Sequence, residues 1–395
     1  MNAPLPLPAL DDIRAHEAEM VAIRHQIHSK PELAYEEHAT ADLVAERLTR
    51  WGYEVHRGLG GTGVVGTLRE GTSTRRIGLR ADMDALPIEE TSGKAWSSKV
   101  FGKMHACGHD GHTAMLLSAA RHFAATRNFD GHLHLVFQPA EEGLAGAKKM
   151  LDDGFLDLFP CDAMFGMHNM PGRPAGQFML VPGYAMASGD TCIIKVRGVG
   201  GHGAMPQSAV DPVVAGAAIV MALQTIVSRN VPPLQTGIIS VGAFLAGDAA
   251  NVIPGEAELR LTVRAFRPEI RDLLERRITE IAQHQAAVFG ATADVDYIRR
   301  YPVLNNDPAM TDFCRSVIHD WLGDEGLVAN AEPISASEDF AFFLEKVPGC
   351  YVNIGNGLGS EGGCMVHNPG YDFNDSVLST GASYWVKLAE TYLKK

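Results

Sequence analysis

Apolar positions along the chain fall into stretches that alternate between helical and strand spacing. From Asp11 to about Gly52 they recur as on helices, and Pro31 after Lys30 should break that run into two, because proline lacks an amide hydrogen and clashes with the preceding turn. Ile77 to Ala81 is a short apolar run of strand length, closed by Asp82-Met83-Asp84. Met115, Leu116, Ala119, Ala120 and Phe123 predict a helix over 112–127. His132 to Phe137 alternates and then becomes wholly apolar, as a strand covered on both faces does. A short helix over 144–153 and a strand over 163–167 follow. This alternation predicts an α/β domain with a mainly parallel sheet.

Near Gly183 the pattern changes. Strands are predicted over 190–199, 236–244, 256–266 and 292–298, with helices over 211–229 and 268–289. That describes an α+β unit of four strands and two helices set into the chain. Helix and strand alternate again after Tyr301. The expected organisation is one domain in two parts, 1–183 and 300–395, with a second domain inserted at 184–299. The glycines and asparagines between 355 and 370 read as a site loop.

Composition narrows the classes. A chain of 395 residues exceeds what one core usually holds, and 46% hydrophobic with 21% charged residues is ordinary for a soluble protein. The formal net charge of −13 argues against non-specific nucleic-acid binding. Six scattered cysteines without a CxxC pair suggest reduced thiols and a cytoplasmic setting. The N-terminal stretch lacks the basic-then-apolar signature of a secretory signal, and no apolar stretch is long enough to predict a bilayer span. Neither nucleic acid nor membrane is an expected partner.

Candidate chemistry is concentrated in four places: Met104-His105-Ala106-Cys107-Gly108-His109-Asp110-Gly111-His112, Gln138-Pro139-Ala140-Glu141-Glu142-Gly143, Met167-His168-Asn169, and Val366-His367-Asn368-Pro369. Three of the candidate ligand groups fall just after predicted strands, where open α/β sheets place their sites. Two cations about 3.5–4 Å apart can share a water, lower its pKa and polarise a carbonyl. Cys107 is the best bridge, since a thiolate has lone pairs for two metals. His109 and His168 would complete one site, Glu142 and His367 the other. Glu141, beside a ligand but not needed as one, suits a general base. Asp82 and Asp84 could orient a ligand imidazole. The set reads as a metal-dependent hydrolase.

Each residue also has a plainer reading. A single cysteine is usually a buried small hydrophobe, and a Glu-Glu pair at a helix start complements the helix dipole. Taken together, the groups make that reading the weaker one. His25, His28, His132 and His134 are assigned to structure, the other five cysteines to packing, and His105 and His112 are the alternatives within the ligand segment. Ser337 reads as a helix cap, and Asp339 could sit near the metals. In the inserted region, His202 lies among glycines 198, 200, 201 and 203. It is either incidental to a tight turn or an oxyanion donor. A hydrolase using Cys107 as nucleophile would leave His168, Glu142 and His367 idle. A catalytically silent metal-binding protein would be signalled by loss of Glu141 or a ligand, and none is lost.

MHACGHDGH and QPAEEG, with Arg24 to Thr40, Leu79 to Pro87, GMHNMPG, GVGGHGAMPQSAVDP, NVIPG, SEDFA and VHNP, make the chain resemble the metallopeptidase family M20 nearly end to end. The likeness is to its aminoacylase, hippurate hydrolase and indole-acetyl-amino-acid hydrolase branch. The resemblance implies an amidohydrolase of N-acyl amino acids with two divalent ions (zinc, manganese, nickel or cobalt). Cys107, His109, Glu142, His168 and His367 would be ligands and Glu141 the base. A dipeptidase or an N-acetyl-diaminopimelate-type deacetylase is the runner-up. The resemblance further implies that the inserted domain serves as a dimerisation or lid element in a homodimer or homotetramer. It also implies that His202 acts at a site, its own or a partner's, and that Asn251 and Arg264 hold a substrate carboxylate.

Overall fold

The computed structural model describes residues 7–360 and 362–395. The chain divides into two compact units. One runs to Gly183 and resumes at Asn305–Glu332 and Phe342–Lys395; the other comprises Tyr184–Leu304 and Pro333–Ala341. The inserted unit is thus larger than 184–299. The strand Thr292–Tyr301 stays paired with Gly189–Arg197 as far as Tyr301, opposite Gly189. Residues 333–341 join it because Ile334 bridges Met186 and the Ala187 amide donates to the Ile334 and Ala336 carbonyls. So short a return from distant sequence carries no periodicity to announce it.

The first unit is built on a seven-stranded sheet in the order Glu54–Leu59, Gly63–Glu70, Gly131–Gln138, Arg76–Asp82, Ala163–Pro171, Gly349–Gly357, Phe178–Met179. Its four central strands are parallel, and the outer pairings are antiparallel. The central strands are buried almost throughout, which explains their nearly continuous apolar runs. Leu79, Leu135, Phe165 and Val352 share one core with Met115, Ala119 and Phe123 of helix His109–Thr126 and with Leu378 and Trp385 of helix Leu378–Tyr392.

Four local expectations need correction. The N-terminal region forms three helices, Asp11–Ala15, Glu17–His28 and His38–Arg50, rather than two; the main break does fall just before Pro31. The helix expected from 112 begins at His109, launched by Gly108 at φ 92°. Strand Ala163–Pro171 continues through His168 instead of stopping ahead of it. The helix expected over 144–153 is two pieces, Glu141–Leu144 and Gly146–Asp152, divided at Ala145 with φ 57°.

The second unit is a four-stranded antiparallel sheet in the order Gly237–Leu245, Glu256–Ala265, Gly189–Arg197, Thr292–Tyr301, with helices Pro212–Arg229 and Pro268–Val288 packed on it. Alternation along the strands is clear: Cys192, Ile194 and Val196 with Leu259, Leu261 and Val263 face the helices, while Arg197, Glu256 and Arg260 are exposed. Helix Pro212–Arg229 is long and apolar enough to pass as a membrane span, which the sequence reading had excluded. Its Ala215, Ile219, Leu223 and Ile226 are packed into this core, while Val213, Val214, Met221 and Val227 are exposed, so packing accounts for one face of the helix only.

Candidate metal centre

The parallel strands deliver the candidate ligands to one edge. Asp82 and Gln138 are register partners at the carboxyl ends of adjacent strands, and Asp84, Glu141 and Glu142 follow within a few residues of those ends. Cys107 and His109 flank Gly108 at the start of the long helix. A side chain at Gly108 would lie 2.3 Å from Asn169 Oδ1 and 2.4 Å from the Tyr371 hydroxyl, so only glycine permits this approach. His367 arrives from the far end of the sequence. Its amide donates to the Ala106 carbonyl at 2.8 Å, fixing its loop one residue from Cys107.

Of the donor sets that form among the described residues, two share Cys107. The donor atoms of Cys107, His109 and His168 lie within 4.8 Å of one another, as do those of Cys107, Glu142 and His367. Cys107 Sγ is 3.3 Å from His168 Nε2, and Glu142 Oε1 is 3.3 Å from His367 Nε2. Tautomers are set from behind. His109 Nδ1 meets Asp84 Oδ1 at 3.2 Å, and His168 Nδ1 meets the Asn169 carbonyl at 2.6 Å, so the neutral form of each ring has its lone pair on Nε2, toward the cluster. The other oxygen of Asp84 accepts from the Glu142 amide at 2.9 Å. Asp84 therefore orients one member of each set. Glu141 is buried and its carboxylate forms a further group with His109 and Glu142.

The electrostatics favour a cation. Burial pushes the Cys107 thiol well above its ordinary pKa, and the carboxylates of Glu142, Glu141 and Asp82 push the same way. Burial opposes a charge on His109, yet Asp82, Asp84 and Glu142 hold its pKa up at about 10. Burial keeps His168 neutral, well below its usual value. Glu142 is held low, against burial, by the His367 hydrogen bond and by His109. His109 Nε2 is buried with no hydrogen-bond partner, 3.8 Å from Asp82 and 3.9 Å from Glu142. An orphaned imidazole nitrogen, a thiol, carboxylates and a second, neutral imidazole fit divalent metal binding, in which a cation takes over from protons.

His112 is occupied elsewhere: its Nδ1 meets Asp82 Oδ1 at 2.6 Å and its Nε2 meets Asn169 Oδ1 at 2.7 Å. Asp82 also accepts from Arg80 at 2.7 Å. Asn169 and Tyr371, joined at 2.7 Å, complete this backing. The sequence assigns neither a role, although Asn169 lies within a quoted motif and Tyr371 just beyond another. His105 is buried without hydrogen bonds, and burial takes its pKa down to about 3.

His202, Asn251 and Arg264 belong to the second unit. The first two come together: His202 pairs with Val252 across a two-stranded ribbon, and the Gly203 amide donates to the Asn251 carbonyl at 2.8 Å. A side chain at Gly203 would crowd Asn251 at 3.0 Å. His202 is exposed, and its Nδ1 accepts from the Ala204 amide at 3.0 Å, which leaves the ring proton on Nε2. Arg264 is half-buried on the Glu256–Ala265 strand, opposite Ile238.

The profile of peptidase family M20/M25/M40 matches residues 78–391. A hippurate hydrolase of Campylobacter jejuni is 46% identical over 98% of this chain and 99% of its own length. An IAA-amino acid hydrolase (ILR1-like 2) of Arabidopsis thaliana is 40% identical, covering 95% of this chain and 85% of its own. A crystal structure of a dinuclear metal-binding M20 peptidase from Bacillus subtilis superposes with a TM-score of 0.82 at 31% identity, over 96% of this chain and 99% of that one.

Proposed function

This chain belongs to peptidase family M20/M25/M40, and from that premise we propose that it is a metal-dependent amidohydrolase cleaving N-acyl amino acids, with aromatic acyl groups preferred, to a carboxylic acid and a free amino acid. The observation that carries the reading is the pair of three-residue donor sets sharing Cys107, with Glu141 beside them. Cys107, His109 and His168 would hold one divalent cation and Cys107, Glu142 and His367 the other. When bound, such a pair polarises the scissile carbonyl and acidifies the attacking water. Glu141 takes the proton from that water and returns it to the leaving amine. Asp84 keeps His109 and Glu142 aimed. His202, with its proton on Nε2, is the donor to the carbonyl oxygen as negative charge develops there, acting on its own chain or on a second copy in a homodimer. Asn251 and Arg264 serve the substrate carboxylate, for which a planar guanidinium is suited.

The test is a panel of N-benzoyl, indole-acetyl and N-acetyl amino acids and dipeptides, assayed after dialysis against a strong chelator and again with zinc, manganese, nickel or cobalt restored. Loss and recovery of hydrolysis, greatest on the aromatic conjugates, is the expected result. Full turnover by the metal-free protein would refute the metal role, and faster cleavage of dipeptides would replace the substrate class.

A further inference from the structure

Arg24, on helix Glu17–His28, has no solvent exposure. Its Nη1 donates to Asp110 Oδ2 at 3.0 Å and to Asp372 Oδ1 at 3.1 Å, and its Nε lies 2.6 Å from Asp375 Oδ1. The guanidinium also sits between two rings, 5.3 Å from the centre of Trp96 and 5.9 Å from that of Phe373. Burial works against its charge, but the three carboxylates raise its pKa above the usual arginine value. It is therefore a permanent buried cation.

What it joins is informative. Asp110 is the residue after His109. Asp372 and Asp375 close the loop that carries His367. One side chain thus connects the two chain segments, far apart in sequence, that supply opposite halves of the candidate centre. Each of the three carboxylates has a further partner. Asp110 has a second partner one turn along the same helix, His28 Nδ1 at 2.9 Å, so it is held with or without Arg24. Asp375 has otherwise His25 Nε2 at 2.8 Å, on a ring stacked over Trp96 at 3.8 Å. Asp372 has Trp96 Nε1 at 3.1 Å and the half-exposed Lys94 at 3.4 Å. The loop's other ties include the His367 amide on Ala106, the Tyr371 hydroxyl on Asn169, the Pro369 carbonyl on the Thr91 amide at 2.8 Å, and Asn356, which donates to the Asp372 carbonyl at 3.3 Å and accepts from the Asn374 amide at 3.0 Å.

We infer that Arg24 is a positioning residue of the metal centre, a buried strut that holds the His367 loop against the start of the His109 helix. It thereby sets the affinity of the Glu142–His367 half without touching either cation. The inference rests on the two-cation reading above. Residues that orient ligands from outside the coordination set change metal affinity by about 10–100-fold. A merely structural arginine would instead lower stability and weaken both halves together.

The experiment titrates metal-free wild type, Asp375→Asn and Arg24→Lys with Zn²⁺ against a chromogenic chelator, with hydrogen exchange of the metal-free proteins in parallel. Asp375 is 27% exposed, so its variant should fold even if Arg24→Lys, which leaves buried carboxylates poorly paired, does not. Wild type should bind two Zn²⁺ per chain. Asp375→Asn should weaken one of the two sites by about 10-fold or more and leave the other unchanged. It should also speed exchange at the His367 and Tyr371 amides while leaving the helix that starts at His109 protected. Arg24→Lys should do the same more strongly. Unchanged affinities with unchanged exchange, or equal weakening of both sites with a lowered melting temperature, would overturn the strut. Fewer than two Zn²⁺ in the wild type would count against the two-cation reading alone, and exchange at His367 would then decide the strut.

Discussion

The two units bury charge in opposite ways. In the second, Asp190 is 1% exposed and saturated: Arg271 grips both its oxygens at 2.8 and 2.6 Å, and the Tyr297 hydroxyl and Arg300 amide add bonds at 2.9 and 3.1 Å. In the first, carboxylates crowd around His109, Cys107 and Glu142, and His109 Nε2 is left without a hydrogen bond. Among the described residues, every buried side-chain polar atom lacking a hydrogen-bond partner lies in the first unit. A closed polar network rigidifies a fold, whereas an open one is costly unless a ligand completes it. At His109 Nε2, which belongs to a candidate donor set, a cation would supply the missing partner; Asp190 has no such vacancy.

Glu141→Gln tests that contrast most severely. Turnover should drop by about 100-fold or more, while Zn²⁺ content, measured by elemental analysis, stays at the wild-type level. Metal loss in this variant would mean that Glu141 and Glu142 have exchanged roles. His202→Ala asks whether chemistry is confined to the first unit. Its kcat should fall by roughly 100-fold, as expected when a donor worth about 3 kcal/mol is removed, again with metal retained. Mixing this variant with Glu141→Gln sharpens the answer. Activity regained after demonstrated subunit exchange places His202 in a partner's site, and a mixture no better than its parents confines it to its own chain.

The smallest effect concerns stability. Burial disfavours a charged His28, but Asp110 outweighs it and holds the ring's pKa at about 9, against an ordinary 6.5. A folded-state value above the unfolded one means the stabilisation is fully present below about pH 6.5 and is lost as pH rises through about 9. His28→Gln should therefore flatten the fall in melting temperature across that interval, read by thermal unfolding at stepped pH. An unchanged slope would show that His28 is not the group responsible.

Much of the second unit was legible beforehand. Its helices begin within a residue of the predicted positions, because Asp211 caps the first by accepting from the Val213 and Val214 amides and Pro268 opens the second. The first unit was less legible where glycine conformation overrode apolar spacing, as at Gly108, and the part of the second unit that the sequence did not announce is its late return at 333–341. The misassignment of His168 to a strand end has the same origin. Apolar periodicity ceases at Met167, but pairing with Gly349–Gly357 carries the strand on to Pro171.

By itself the sequence determined the residue types and their order: a thiol and imidazole around a glycine, two adjacent glutamates after a strand, a late histidine in a loop, and an inserted region with its own period. Those features follow from local propensity and from ligand chemistry, both written in short stretches. Only the tertiary structure decided which atoms meet. It brought His367 beside Cys107 through one backbone hydrogen bond, turned both Asp84 oxygens to two different segments, and closed Arg24 between Asp110 and the loop at 372–375. Contacts at such sequence separations are set by the packing of sheet and helices, to which no single segment holds the key.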